Sequence, residues 1–302
     1  MGWNRWLVRA VPPALIAVAV ILGRVGIPAS GVVRGASAAA RDCPATLASS
    51  ARQPALEATV ELRAKLSSRG ELTGRTLVTS VGAAGQRATE LAAESFAAPI
   101  QSNVVVFGQH EPGRGSWVRA LDLQNGCEYA LHSSADAVRS AVIDASLGYL
   151  FVHSVASGTR TDRGVRRIEL GGGGSRVVAF APDADDRFGT TYATRLGWSL
   201  SGTELAVQSC GIVACRTRVV DTAGALRASF DSAHGPLVGF TSTRLFAFDA
   251  CEGLPCALSA IDRSNSAVTS LDTYAFSARL TGTDSAPVIA ADTPAGPKEI
   301  RP

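Results

Sequence analysis

The sequence predicts an all-β chain: a β-propeller of five or six four-stranded blades behind an N-terminal signal peptide. Three observations predict it. A strand-turn-strand unit recurs along the chain, an acid ends the third strand of each of the first four units, and helical periodicity is weak beyond the N-terminus.

The N-terminus comes first. Residues 1–9 carry Arg5 and Arg9 and no acid, residues 10–23 carry no charge, and small residues follow, ending in Ala36-Ser37-Ala38-Ala39-Ala40. A basic start, an apolar run and an Ala-x-Ala site make up a secretory signal peptide. Residues 1–40 are therefore expected to be removed on export, after Ala38 or Ala40. The alternative is an uncleaved membrane anchor, but spanning takes about 20 apolar residues and Arg24 interrupts the run. Cys43 follows Arg41-Asp42 rather than a lipoprotein-like context, and no twin arginine lies near the start. The expected location is secreted or extracytoplasmic, in the cell envelope.

Removing residues 1–40 takes away Arg5, Arg9, Arg24 and Arg34. The 29 basic residues less these four leave 25 against 26 acids, a net charge near −1. The basicity belongs to the signal and gives no reason to expect nucleic acid as a partner. Lys65 and Lys298 are the two lysines; that arginine bias, with abundant alanine, points to a high-GC genome.

Residues 41–56 read as an irregular tail and 57–302 as the propeller domain. Within it, 57–92 is ambiguous, with Thr76-Leu77-Val78-Thr79 as its best strand. The repeat then pairs segments 94–100 with 103–108, 140–145 with 149–154, 195–199 with 204–209, 236–240 with 244–249, and 277–282 with 287–292. Third strands end at Asp122, Glu169, Asp221 and Asp262, which are 47, 52 and 41 residues apart. A turn-forming cluster and a fourth short strand follow each. A period near 40–50 residues with four short strands describes a propeller blade. The alternative is a β-sandwich, which has no cause to repeat this strand order. The last unit has only 298–300 as a third strand, and the N-terminal strands around 76–81 and 86–90 are placed to close the ring.

Trp198-Ser199-Leu200-Ser201-Gly202-Thr203-Glu204-Leu205-Ala206 resembles the W-S-P-D-G-x-x-L-A signature of TolB-type and WD40-like propellers, with Leu200 and Ser201 in place of Pro and Asp. The match covers one blade. It implies the propeller fold and a binding or scaffold role, and carries no catalytic residue. More loosely, the chain resembles uncharacterised exported propellers of high-GC bacteria that have a similar Cys-x4-Cys hairpin.

Cys210 and Cys215, and Cys251 and Cys256, fall at equivalent places between the second and third strands of adjacent units. Disulfides persist in oxidising compartments, and each pair is expected to bridge its own hairpin. Metal binding is the competitor, but no histidine lies in either loop. Cys43 and Cys127 are left to pair by elimination.

Signatures of a catalytic serine elbow, a zinc protease or a phosphate loop are absent from the sequence. No metal and no cofactor is expected. His110, His132, His153 and His234 are scattered, and the Asp183-Ala184-Asp185-Asp186 cluster lacks the EF-hand pattern. Any binding site is expected on the face with the longer loops, 109–116, 155–164, 183–194, 209–216 and 250–256, opposite the short turns. That rim gathers Arg114, Arg160, Asp162, Arg163, Asp185, Asp186, Arg187 and Tyr192. The function expected is a binding or scaffold module for a protein or envelope component, with no nucleic acid partner and membrane contact only through an uncleaved signal. The alternative is an extracytoplasmic propeller enzyme of the glycan hydrolase or lyase type.

Overall fold

The computed structural model describes residues 43–47, 58–82, 85–144, 146–159, 161–180, 193–210, 215–249 and 255–302. The expected signal segment, 1–40, lies outside them. The described part is a six-bladed β-propeller. Blade 1 holds β1 (Ala58–Leu66), β2 (Leu72–Val81) and β3 (Gln86–Leu91). Blade 2 holds β4 (Ser95–Ala97), β5 (Val104–Glu111), β6 (Gly115–Asp122) and β7 (Glu128–Ser134). Blade 3 holds β8 (Ala137–Ile143), β9 (Tyr149–Val155), β10 (Asp162–Glu169) and β11 (Ser175–Ala179). Blade 4 holds β12 (Ala193–Trp198), β13 (Glu204–Cys210), β14 (Cys215–Asp221) and β15 (Leu226–His234). Blade 5 holds β16 (Leu237–Phe240), β17 (Arg244–Phe248), β18 (Cys256–Asp262) and β19 (Val268–Ala275), and blade 6 holds β20 (Ser277–Thr283), β21 (Ala286–Thr293) and β22 (Gly296–Ile300).

Each blade is an antiparallel meander, four strands wide in blades 2 to 5 and three in blades 1 and 6 among the described residues. The ambiguous segment before residue 92 thus forms a blade of its own instead of completing the last one. The first strands of successive blades lie side by side, joined at one point by a parallel bridge between Ser199 and Phe240. They are the inner strands of the ring.

Second strands are sandwiched between neighbouring blades, so both of their faces are covered. That is why Val104-Val105-Val106-Phe107 and Leu150-Phe151-Val152 run apolar without alternation, and all seven are buried. Apolar packing runs from blade to blade. Leu77, Leu91, Val105 and Phe107 join blades 1 and 2. Val106, Val118, Phe151, Leu205 and Val207 join blades 2, 3 and 4. Ala206, Phe230 and Phe240 join blades 4 and 5, and Phe246, Leu258 and Ile289 join blades 5 and 6. Among the described residues no apolar cluster joins blade 6 to blade 1.

Polar ties accompany these cores. Trp198 of blade 4 donates Nε1–H to the Ile143 carbonyl at 2.6 Å and meets Phe151 edge-to-face, with ring centroids 5.0 Å apart. Arg263 of blade 5 reaches Glu204 of blade 4 through two bonds, at 2.7 and 2.9 Å, and also donates to the Thr241 carbonyl. Between blades 4 and 5 lies a buried chain in which Gln208 donates to Thr217 (3.2 Å), Thr217 Oγ1 meets His234 Nε2 (3.3 Å), and His234 Nδ1–H donates to the Gly235 carbonyl (2.9 Å). Burial lowers the pKa of His234 from its ordinary value.

Three of the four acids that end the third strands have a local task, Glu169 being the exception. Asp122 accepts from the Gln124 N–H, Asp221 from those of Ala223 and Ala225, and Asp262 from that of Ser264. Each caps the turn to the fourth strand, which is why the repeat needs a short side-chain acceptor there. Asp144, Ser199 and Thr241 do the same at turns between first and second strands.

Cys210 bridges Cys215, directly across the hairpin at a Cα separation of 3.9 Å, closer than the usual spacing. Cys43 bridges Cys127, with Cα atoms 5.8 Å apart. Cys256 is disulfide-bonded; its expected partner, Cys251, lies outside the described residues.

Candidate functional site

The turns between first and second strands, and between third and fourth, share one face of the ring. Connections between second and third strands, and from blade to blade, share the other. On this second face the expectation of long loops holds unevenly. Gln109, His110 and Glu111 belong to β5 and pair with Trp117, Ser116 and Gly115 of β6, so the expected loop 109–116 is a tight turn. Glycine makes that reversal possible: Gly115 has φ +89°, and a Cβ there would lie 2.5 Å from the Ser134 carbonyl oxygen.

That short turn leaves a cleft open between blades 2 and 3. It has a volume of about 310 Å³ and is lined by Glu94, His110, Pro112, Gly113, Ala137, Arg139, Ala156, Ser157 and Gly158. The turn after β5 forms one wall and the connection from β9 to β10 the other. Arg139 of β8 donates to Glu94, just ahead of β4, at 2.8 Å.

His110 is 7% exposed, and its protonation pattern follows from its partner. Ser116 Oγ donates its one proton to the Asp136 carbonyl at 2.8 Å and accepts from the Val138 N–H at 2.9 Å. The 3.0 Å contact between His110 Nδ1 and Ser116 Oγ must then have Nδ1–H as donor. His110 is one of the residues that line the cleft. The same commitment of the Ser116 proton means that His110 and Ser116 do not form a nucleophile and base. Among the described residues, no three His, Cys, Asp or Glu side chains converge on a metal position.

Of the residues expected on this rim, none lines the cleft, and two neighbour residues that do. Arg114 follows Pro112-Gly113 and pairs with Glu111 at 3.2 Å, while Arg163 approaches Asp136 at 3.7 Å, beside Ala137. Asp162 turns inward, where one oxygen accepts from the Gly164 N–H (2.7 Å) and from Nε2 of the buried His153 (3.0 Å). Arg160, Asp185, Asp186, Arg187 and Tyr192 lie outside the described residues. Glu94, His110 and Arg139 were not singled out by sequence. Only the position of Arg139, third in an inner strand, was open to detection, because Arg195 and Arg279 occupy the same place in β12 and β20.

No family model matches the sequence, and no curated protein is similar to it. Solved structures do match in shape. TolB from Acinetobacter baumannii superposes with a TM-score of 0.52 at 11% identity, over 81% of this chain and 63% of that one. The fold is that of a TolB-type propeller. The chain spans less than two thirds of the length of that TolB. A putative TolB from Agrobacterium tumefaciens is similar at a TM-score of 0.48 and 11% identity, over 79% of each chain. An acylaminoacyl peptidase is similar at 0.44 and 11%, over 78% of this chain and 41% of its own. At such identities the likeness concerns the TolB-type fold alone.

Proposed function

We propose that this chain is an extracytoplasmic binding module that engages a protein or cell-envelope component through the cleft between blades 2 and 3. One observation carries it: a mostly buried histidine, held through Nδ1 by Ser116, lines a cleft beside an Arg139–Glu94 pair. Grouped polar side chains on a rigid frame, with Arg114 in the turn after β5 and Arg163 in β10 nearby, are the makings of a recognition surface. Two disulfides support the compartment.

Photo-crosslinking residues at Pro112 and Ser157, and at Ser242 on the opposite face, test the proposal in envelope extracts. A discrete adduct should form from the cleft positions and fall at least tenfold with His110→Gln or Arg139→Gln. Adducts from Ser242 alone, or adducts indifferent to both substitutions, overturn it.

A further inference from the structure

Blades 1 and 6 both have three strands, but blade 1 differs in which place it leaves open. The residues after β3 lie on the long-loop face: the Ala92 N–H donates to the Gln109 side chain at 2.8 Å, and the Glu94 carbonyl accepts from the His110 N–H at 2.8 Å. β3 therefore ends where the fourth strands β7, β15 and β19 end, one to three residues ahead of the next blade. It also makes a fourth strand's contact. Arg87 of β3 donates to the Gly126 carbonyl in the turn before β7 at 3.0 Å, as Arg176 of the fourth strand β11 donates to the Ala223 carbonyl in the turn before β15 at 3.4 Å. The blade is an antiparallel meander, so β1 runs in the direction of β3, from the short-turn face to the long-loop face. That is the direction of a second strand, and β1 lies against β4 as β5 lies against β8. Blade 1 thus fills the second, third and fourth places. The inner strands β4, β8, β12, β16 and β20 stand side by side; among the described residues none stands between β20 and β4.

Two surfaces border that place. One is the edge of β1, which among the described residues pairs with β2 alone. An edge strand of nine residues is a template for pairing with another chain. Its alternation sets what it accepts: Val60 and Leu62 turn towards blade 2, while Glu61, Arg63 and Lys65 are exposed on the other face. The second surface belongs to blade 6. There Arg279, Asp292 and Glu299 line a recess of about 410 Å³, alternating along their strands with Ala278, Ala291 and Ile300, which pack on blade 5.

The residues just ahead of β1 are too few to supply the strand. Cys127 holds Cys43 at the turn before β7, on the short-turn face, where β1 also begins. Between Leu47 and Ala58 the chain spans at most about 40 Å. Climbing to the long-loop face and returning along a seven-residue strand such as β8 takes about 46 Å. We propose that an extended segment of another polypeptide adds to β1, antiparallel to it, as the inner strand of blade 1. Its apolar side chains face blade 2 and its polar ones face blade 6. Main-chain hydrogen bonds to β1 give the affinity, and the two unlike faces give the specificity. The site is separate from the cleft between blades 2 and 3.

Hydrogen exchange of the full chain tests this, with a peptide copy of β20 (Ser277–Thr283) as the probe, because its polar and apolar residues alternate. In the protein alone, the alternate amides of β1 that turn away from β2 should exchange at least a hundredfold faster than those bonded to β2. The peptide should slow them at least tenfold and leave β13, flanked by strands on both sides, unchanged. A peptide of the same composition without the alternation should protect them much less, and a fully N-methylated one, which has no N–H to donate, not at all. His110→Gln and Arg139→Gln should leave this protection intact, which separates the site from the cleft. Uniform protection of β1 in the protein alone would mean that the chain's own residues hold the edge. Protection that survives N-methylation would mean that no strand is added. Either result, or no protection by the peptide, overturns the proposal.

Discussion

Blades 3 to 5 and the two terminal blades are made of the same hairpins and differ in what their faces meet. In β9 and β13 every residue between the ends is buried. In β1, Val60 and Leu62 pack on blade 2, while Glu61, Arg63 and Lys65 on the other face are exposed. Blade 6 repeats the pattern: Ala278 and Leu280 face blade 5, and Ser277 and Arg279 stay exposed. A blade with neighbours on both sides is stabilised by apolar burial on two faces, an end blade on one. The outward faces of β1 and β20 are therefore polar, and among the described residues apolar cohesion resides in the middle blades.

Truncation of a central core residue should show this most strongly. Phe151 is fully buried and meets Trp198 edge-to-face, so Phe151→Ala is expected to destabilise by about 3–5 kcal/mol in denaturant unfolding. Val60→Ala, in blade 1, should cost about 1 kcal/mol or less. Equal losses would mean that the end blades are held as firmly as the centre. Second comes the bidentate pair between blades 4 and 5, whose arginine side chain is 9% exposed and whose glutamate is 17% exposed. Removing one partner strands the other, so Arg263→Ala should cost about 3 kcal/mol, and a double-mutant cycle with Glu204→Gln should show strong coupling. On blade 1, Lys65→Ala should leave the midpoint unchanged, because its pair with Glu90 is exposed.

The smallest expected effect is on pH dependence, which should separate the two regions. Burial lowers the pKa of His234 below its ordinary 6.5, so the unfolded chain takes the proton first. Its stabilisation is complete above 6.5 and is lost as pH falls through the folded value. Glu90, lowered from 4.5 chiefly by the bond from Lys65, contributes above 4.5 and loses its contribution at lower pH. Hydrogen exchange should show amides of β13 to β15 losing protection at mildly acidic pH, ahead of any pH-linked change in blade 1. With His234→Gln that early loss should disappear; its persistence would assign it to another group.

The strand order, the capping acids and the Trp198 motif were legible in sequence because each is written within a few consecutive residues. Blade 1 was ambiguous for a physical reason: its third strand ends at Leu91 without a capping acid, and half of its surface needs no apolar residue. The cleft was not legible. Glu94, His110 and Arg139 come from two blades and meet only because the turn at Gly113 and Gly115 is tight. Similarly, Arg263 and Glu204 lie 59 positions apart, and no local pattern announces them.

The bridge from Cys43 to Cys127, with a separation of 84 residues, encloses all of blade 1 in a covalent loop. It also sets the path of mechanical force. Tension applied between residue 43 and the C-terminus enters the ring at the β6–β7 turn through sulfur, and blade 1 carries no load. Reduction would place blade 1, together with β4 to β6, in series with the rest and release up to about 280 Å of extensible chain. In a single-molecule pulling trace, the weakest blade of the propeller would be silent while the disulfide is intact and the first to yield once it is cut.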